Sequence, residues 1–189
     1  MGNVVLEKNT IIDKKQFLKL QFEKGTVQDY FNSMIAKIGE NLILNDLIIK
    51  ENKNSNYSFY IHNSYRKNIG KIISLLEYST IEKNTEIESL SKNLCMHIAA
   101  MKPESLDIED LDKNFIENEK KIQKQLILNS GKPSNIVDKI LEGKMKKFYS
   151  EVTFLNQSYI LDQDKTIRTI IDEYSETDFK LISFELISL

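Results

Sequence analysis

The groups in this 189-residue chain with which chemistry could be done are two histidines, one cysteine, 28 carboxylates and 26 basic side chains. The familiar constellations fail on type or spacing. An imidazole-based zinc site needs several ligands at set spacings, and His62 and His97 stand on separate predicted elements. The single Cys95 excludes a disulfide within the chain and a cysteine-rich zinc site. No G-x-S-x-G elbow presents a serine nucleophile. No G-x-x-x-x-G-K-[ST] loop cradles a phosphate, and Glu142-Gly143-Lys144 is no substitute because its surroundings repeat with helical period. These residue types point to a protein that works by binding, with no cofactor and no metal.

Two stretches carry the most binding information. The first is Leu94 to Pro103, LCMHIAAMKP. At ~100° per residue, Ile87, Leu90, Leu94, Ile98 and Met101 fall on one stripe. Thr85 precedes Glu88 by three residues, a capping-box start. Pro103 stops the helix and pushes Lys102 towards an extended conformation. The spacing therefore predicts a helix over Thr85–Met101 with His97 at the edge of its apolar face. Ala99 and Ala100 leave room for a close approach. By residue type alone, His97 is either a boundary residue of a core helix or a contact. The second stretch is Lys144, Lys146 and Lys147, either a solvated helix face or a contact for phosphate or an acidic partner.

Around these stretches the chain reads as α+β. Val4–Leu6 is a short predicted strand. Asp13 opens a helix through Phe17, Leu18 and Phe22, and Gly25 breaks it. Thr26 caps a second helix through Tyr30, Met34 and Ile38, closed by Gly39. Asn41–Glu51 is rich in Ile and Leu and reads as a strand. A turn at Asn52–Asn56 precedes strands at Tyr57–Ile61 and Ile69–Glu77. These make an antiparallel sheet, backed by the first two helices. Lys113–Asn129 is a polar helix with a thin seam of Phe115, Glu119, Ile122 and Leu126. After Gly131-Lys132-Pro133, Ser134 caps a second helix with a seam of Val137, Ile140, Leu141, Lys144 and Phe148. Two such helices and a tight turn make a projecting antiparallel hairpin. Glu151–Leu155 and Tyr159–Leu161 return the chain to the core. Asp164–Tyr174 is a last amphipathic helix, and Lys180–Leu189 a last strand. The expected organisation is an N-terminal α+β subdomain at 1–78, a C-terminal α+β subdomain at 79–112 and 151–189, and the hairpin at 113–150.

Composition narrows the class. A hydrophobic fraction of 41% with 29% charged residues is that of a soluble globular chain. Its length suits one domain, or two small subdomains sharing a core. A net charge of −2 offers no general basic surface for nucleic acid. No apolar run reaches the ~18 residues of a membrane helix, and no signal-peptide pattern is present. Met1-Gly2 fails as a myristoylation signal because Leu6 stands where Ser or Thr is required.

Several segments, in order, resemble those of translation elongation factor Ts (EF-Ts), the nucleotide-exchange factor of the elongation GTPase EF-Tu. They are Ile38-Gly39-Glu40-Asn41, Tyr60-Ile61-His62 with Ile69-Gly70, and MHIAAMKPE over Met96–Glu104. Gly131-Lys132-Pro133, EGKMKKFY over Glu142–Tyr149, and Lys165-Thr166 follow. The resemblance implies two α+β subdomains with a coiled-coil hairpin. It also implies an activity without covalent chemistry: binding EF-Tu, GDP-bound or nucleotide-free, and promoting GDP release during elongation. By the same resemblance Ile69 and Gly70 press on the GTPase domain, His97 and its helix contact the GTPase body, and the hairpin adds a contact. No nucleic acid or membrane is implied, and a homodimer stays open. The implied location is the cytoplasm, with an organelle matrix as the alternative.

The family's pattern is departed from at three places. Asn63, Ser64 and Tyr65 replace the glycines of the family's loop before Ile69. The family's N-terminal three-helix domain is missing. At the family's Thr-Asp-Phe-Val wedge stands Ile12-Asp13-Lys14, so Asp13 survives and the Phe does not. That loss brings in the alternative of an EF-Tu-binding module without exchange activity. Thr177-Asp178-Phe179 repeats the wedge letters beside the last strand and reads as a decoy.

Overall fold

Residues 12–51 and 54–189 are described by the computed structural model, in two units, one ending at Lys53 and one beginning at Asn54. The strand expected at Val4–Leu6 lies outside the described residues.

In the first unit Asp13 caps α1 (Lys14–Leu18). Its carboxylate accepts from the Gln16 N–H at 2.7 Å, and the Gln16 side chain accepts from the Asp13 N–H at 3.0 Å. This reciprocal box satisfies two donors that a first helical turn leaves free. The helix stops short of Phe22, which instead enters a small hairpin of β1 (Gln21–Phe22) and β2 (Gly25–Thr26). Thr26 and Asp29 cap α2 (Val27–Ile38) in the same way, and Gly39 closes it at φ 76°, both ends as the sequence predicts. Phe17 and Val27 are the buried centre, with Ile12, Leu18, Leu20, Phe22, Phe31, Leu44, Leu47 and Ile49 packed around them. The last three belong to Asn41–Glu51, the expected strand. Among the described residues that run joins no ladder. Its apolar residues follow no two-residue alternation, and side-chain burial against Phe17 and Val27 satisfies them without one.

The second unit runs through β3 (Asn56–His62), β4 (Ile72–Ser79), α3 (Thr85–Met101), α4 (Lys113–Asn129) and α5 (Ser134–Val152). It continues with β5 (Ser158–Tyr159), β6 (Asp162–Thr166), α6 (Ile167–Asp172) and β7 (Lys180–Ser188). Strands β3, β4 and β7 form an antiparallel sheet with β4 central. Leu76 pairs with Ser58 on one side and Phe184 on the other. Ser74, Leu76 and Tyr78 are the buried face of β4. The helix that covers it is α3, through Ile87, Leu90, Leu94, Cys95 and Ile98. Ser74 is small enough for α3 to come close, and its hydroxyl donates to the Cys95 carbonyl at 2.6 Å. Burial of each large aliphatic side chain here contributes roughly 1.5–3 kcal/mol.

This sheet corrects two expectations. It joins residues 56–79 to 180–188, which the sequence reading allotted to separate subdomains, and the chain divides near residue 53 rather than 78. The helix backing the sheet is α3, whereas α1 and α2 belong to the first unit's core. Pairing with β7 is long-range, so local periodicity could not announce it.

Helix α3 has the expected span, but its cap is Asn84, whose side chain accepts from the Ile87 N–H at 2.9 Å. Lys102 is left-handed (φ 48°, ψ 59°) rather than extended. Its N–H closes on the Ile98 carbonyl at 2.9 Å, an αL stop that outweighs the local preference before proline.

The helical hairpin has its own core of Ile127, Val137, Leu141 and Met145. On α5 the expected seam is largely right, with Met145 inside and Lys144 exposed. On α4 it is right in part. The Phe115 ring meets that of Phe148 on α5 with centroids 5.4 Å apart and Glu119 is half-buried, but the core takes Ile116 and Ile127, while Ile122 and Leu126 are 53% and 55% exposed. The last expected helix is shorter too. Its first residues form β6, and Thr166 caps α6 through the Thr169 N–H.

Candidate partner-binding site

Ile69 and Gly70 lie in the connection between β3 and β4. This nine-residue tip is a framed structure. The Tyr65 N–H donates to the Ile69 carbonyl at 3.0 Å, and the Ile69 N–H donates to the Arg66 carbonyl at 3.0 Å. The Ser64 hydroxyl donates to that same Arg66 carbonyl at 2.7 Å. Asn63 and Asn68 take left-handed φ values of 51° and 64°, which asparagine tolerates better than most residues. Gly70 is required for close approach: a Cβ there would overlap the Ile61 Cγ2 methyl and stand 2.7 Å from the His62 carbonyl oxygen. The frame holds Ile69 outward, 56% exposed.

His97 is placed differently from the expectation. Its side chain is fully buried, so no direct contact with a partner is open to it. The Ile160 N–H donates to Nδ1 at 3.3 Å, and Nε2 lies 2.9 Å from Gln157 Oε1. With Nδ1 accepting, the ring is neutral and donates through Nε2. Gln157, also buried, then donates its Nε2 to the Glu151 carbonyl at 2.7 Å. The network ties α3 to the last turn of α5, where the helical hairpin ends. The rings of Phe154 and Tyr159 lie beside the imidazole, with centroids at 5.6 Å and 6.1 Å. Burial holds the His97 pKa below its ordinary value, against the pull of the Gln157 hydrogen bond. Apolar packing on both sides of one helix turn explains why the wheel put His97 at the edge: β5 and the turn before it supply the extra cover.

Asp13 is exposed at the start of α1 in the first unit, its carboxylate engaged in the cap. The Lys14 ammonium donates to the Asn45 carbonyl at 3.0 Å. His62 is exposed, with Nδ1 3.1 Å from the Tyr60 hydroxyl. Among the described residues no group of three or more His, Cys, Asp or Glu side chains could hold a metal ion. Phe179 is buried against Tyr78, with ring centroids 5.1 Å apart, so the Thr-Asp-Phe near the C-terminal strand serves the core.

Sequence reasoning missed a polar node at the hairpin's other root. Asp107 precedes α4 and accepts from Arg168 of α6, from Asn156 at 3.0 Å and from the Ile108 N–H at 2.9 Å. Partial burial raises its pKa, but these donors together outweigh that and leave it below the usual carboxylate range. No spacing rule links Asp107 to Arg168, so only the fold reveals the pair.

The sequence pattern of the family described as Elongation factor TS matches residues 2–188, nearly the whole chain. The chain belongs to the elongation factor Ts family. It is 35% identical over 166 residues to an elongation factor Ts of Ehrlichia ruminantium, covering 86% of this chain and 57% of the relative. To that of Caulobacter vibrioides it is 34% identical over 152 residues, 80% of this chain and 49% of the relative. To that of Aquifex aeolicus it is 38% identical over 148 residues, 78% and 49% respectively. The chain thus spans roughly half to three-fifths of the length of these elongation factor Ts relatives. The mixture of helices and antiparallel strands agrees with the α+β architecture expected of the family. No described helix is long and apolar enough to cross a membrane.

Proposed function

We propose that this chain is a guanine-nucleotide exchange factor that binds EF-Tu and promotes GDP release, without covalent chemistry. Its activity is that of a binding protein that favours one state of its partner. If it binds the nucleotide-free GTPase more tightly than the GDP form, linkage requires that it weaken GDP binding by the same factor. The observation that carries the reading is the framed β3–β4 tip, which holds Ile69 outward on a Gly70 that admits no side chain. A pre-set prong spends little binding free energy on its own ordering. In this reading Ile69 and Gly70 touch the GTPase, and Asp13 lies at what remains of the wedge. His97 acts from within, holding α3 and the root of the hairpin. Such a role belongs to the compartment where translation runs.

A stopped-flow measurement of labelled GDP leaving EF-Tu of the same species tests this. Acceleration that saturates with this chain is expected; an unchanged release rate at saturating chain would sink the proposal.

A second reading, a module that binds EF-Tu without exchange activity, is favoured by one observation. At the wedge position the Asp13 carboxylate serves a helix cap and Lys14 reaches Asn45, and no aromatic side chain stands there. Equal affinity for GDP-bound and empty GTPase would select this reading.

A further inference from the structure

The β3–β4 tip carries more than the two residues assigned to it. Tyr65 is 68% exposed, more so than Ile69, and its own N–H is bound to the Ile69 carbonyl, so the same frame positions both. Arg66 and Ile69 oppose each other in an isolated antiparallel bridge. Arg66 and Lys67 are exposed and make no ion pair among the described residues. Lys71 follows at the first residue after Gly70. No acidic residue occurs between Glu51 and Glu77, in a chain that holds 28 of them and is net negative. The tip is therefore a local cationic spot with two large apolar side chains standing out of it. A solvated loop gains nothing from a rigid frame that exposes Tyr and Ile. Aromatic and Arg side chains held in this way are the kind that dominate protein interfaces.

We propose that Tyr65 is a second anchor beside Ile69, and that the tip fits a protein surface carrying acidic side chains around an apolar slot. This rests on the exchange-factor reading and names the chemistry of the partner face that the tip meets. Apolar insertion supplies the affinity, and Arg66 with Lys67 speed encounter and fix orientation. A tyrosine flanked by cations also suits stacking on a nucleobase, but Ile69 offers no such contact, and Arg66 and Lys67 are few beside the several cations a nucleic-acid groove uses.

The test uses the full chain, its Y65A and I69A variants and the R66Q/K67Q double variant, with Ile81→Ser, 73% exposed in the connection between β4 and α3, as control. Affinity for nucleotide-free EF-Tu and GDP-release rates are measured over a salt series, and binding to a labelled single-stranded oligonucleotide is measured beside them. Y65A and I69A should each weaken EF-Tu binding by about tenfold with the salt dependence kept. The double variant should slow association and flatten the salt dependence, and the control should match the parent. These positions are exposed, so the variants fold; protection of the buried Cys95 thiol verifies it. If the parent accelerates GDP release and Y65A equals it, the anchor is overturned while the exchange reading stands. If the parent neither binds EF-Tu nor releases GDP, both fall. Oligonucleotide binding that Y65A abolishes, without an effect on EF-Tu, likewise overturns the proposal.

Discussion

A histidine with no exposed surface reports on the fold through its proton. His97 is buried with a pKa held below its ordinary value, whereas in the unfolded chain it titrates near ~6.5. Between those two values the unfolded state binds more protons, so stability rises with pH. The His97 contribution is fully present above the unfolded value and is lost as pH falls through it towards the folded one. Urea unfolding across about pH 8 to pH 5 should show this decline, and His97→Gln should flatten it; an unchanged slope would mean other groups set it. Cys95 is the companion case. Burial pushes its thiol up to about 12, against weaker lowering by Ser58 and Leu76, so a thiol reagent at mildly alkaline pH should label the chain only once it is unfolded. Gly70→Ala should cost about 1–3 kcal/mol, because the new methyl meets the Ile61 side chain and the His62 backbone. A urea midpoint that does not move would show that the tip yields freely and is no frame.

At the scale of elements, caps and seams were each half legible. Asp13 and Thr26 cap the helices that follow them as expected, because a side-chain oxygen bonding a first-turn N–H is a local event. Asn84 takes the place expected of Thr85, Ser134 is the first residue of α5 rather than its cap, and Thr166 caps a helix expected to begin at Asp164. Helix α4 carries two apolar stripes side by side, Phe115–Ile122–Leu126 and Ile116–Ile127, and periodicity cannot choose between them. Helix α5 covers Ile127 through Val137, Leu141 and Met145 and leaves Leu126 outside, although Phe115 still meets Phe148. Ile127→Ala should therefore destabilise the hairpin by about 2–5 kcal/mol, while Leu126→Ala should stay within about 0.5 kcal/mol. Denaturant unfolding of both variants decides it, and the reverse order would return the seam to Leu126.

For the whole molecule, each hydrophobic cluster is drawn from one unit among the described residues. Ile12–Ile49 supply one cluster, and residues between Tyr60 and Leu186 supply the others. Residues 54–189 should consequently fold when expressed alone, with a cooperative melt like that of the corresponding transition in the full chain. A fragment without near-ultraviolet dichroism would show that the first unit is needed.

The sequence by itself determined the α+β class, the span of α3 and both hairpin helices, and the family, through short segments in order such as MHIAAMKP and EGKMKKFY. Such features depend on residues a few positions apart, where propensity, capping and spacing act directly. Only the tertiary structure decided that β7 completes the sheet with β3 and β4, that His97 faces inward to Gln157, and that Asp107 meets Arg168. Each of those joins residues far apart in the chain, and the free energy that selects them comes from burying surfaces together, which no local pattern encodes.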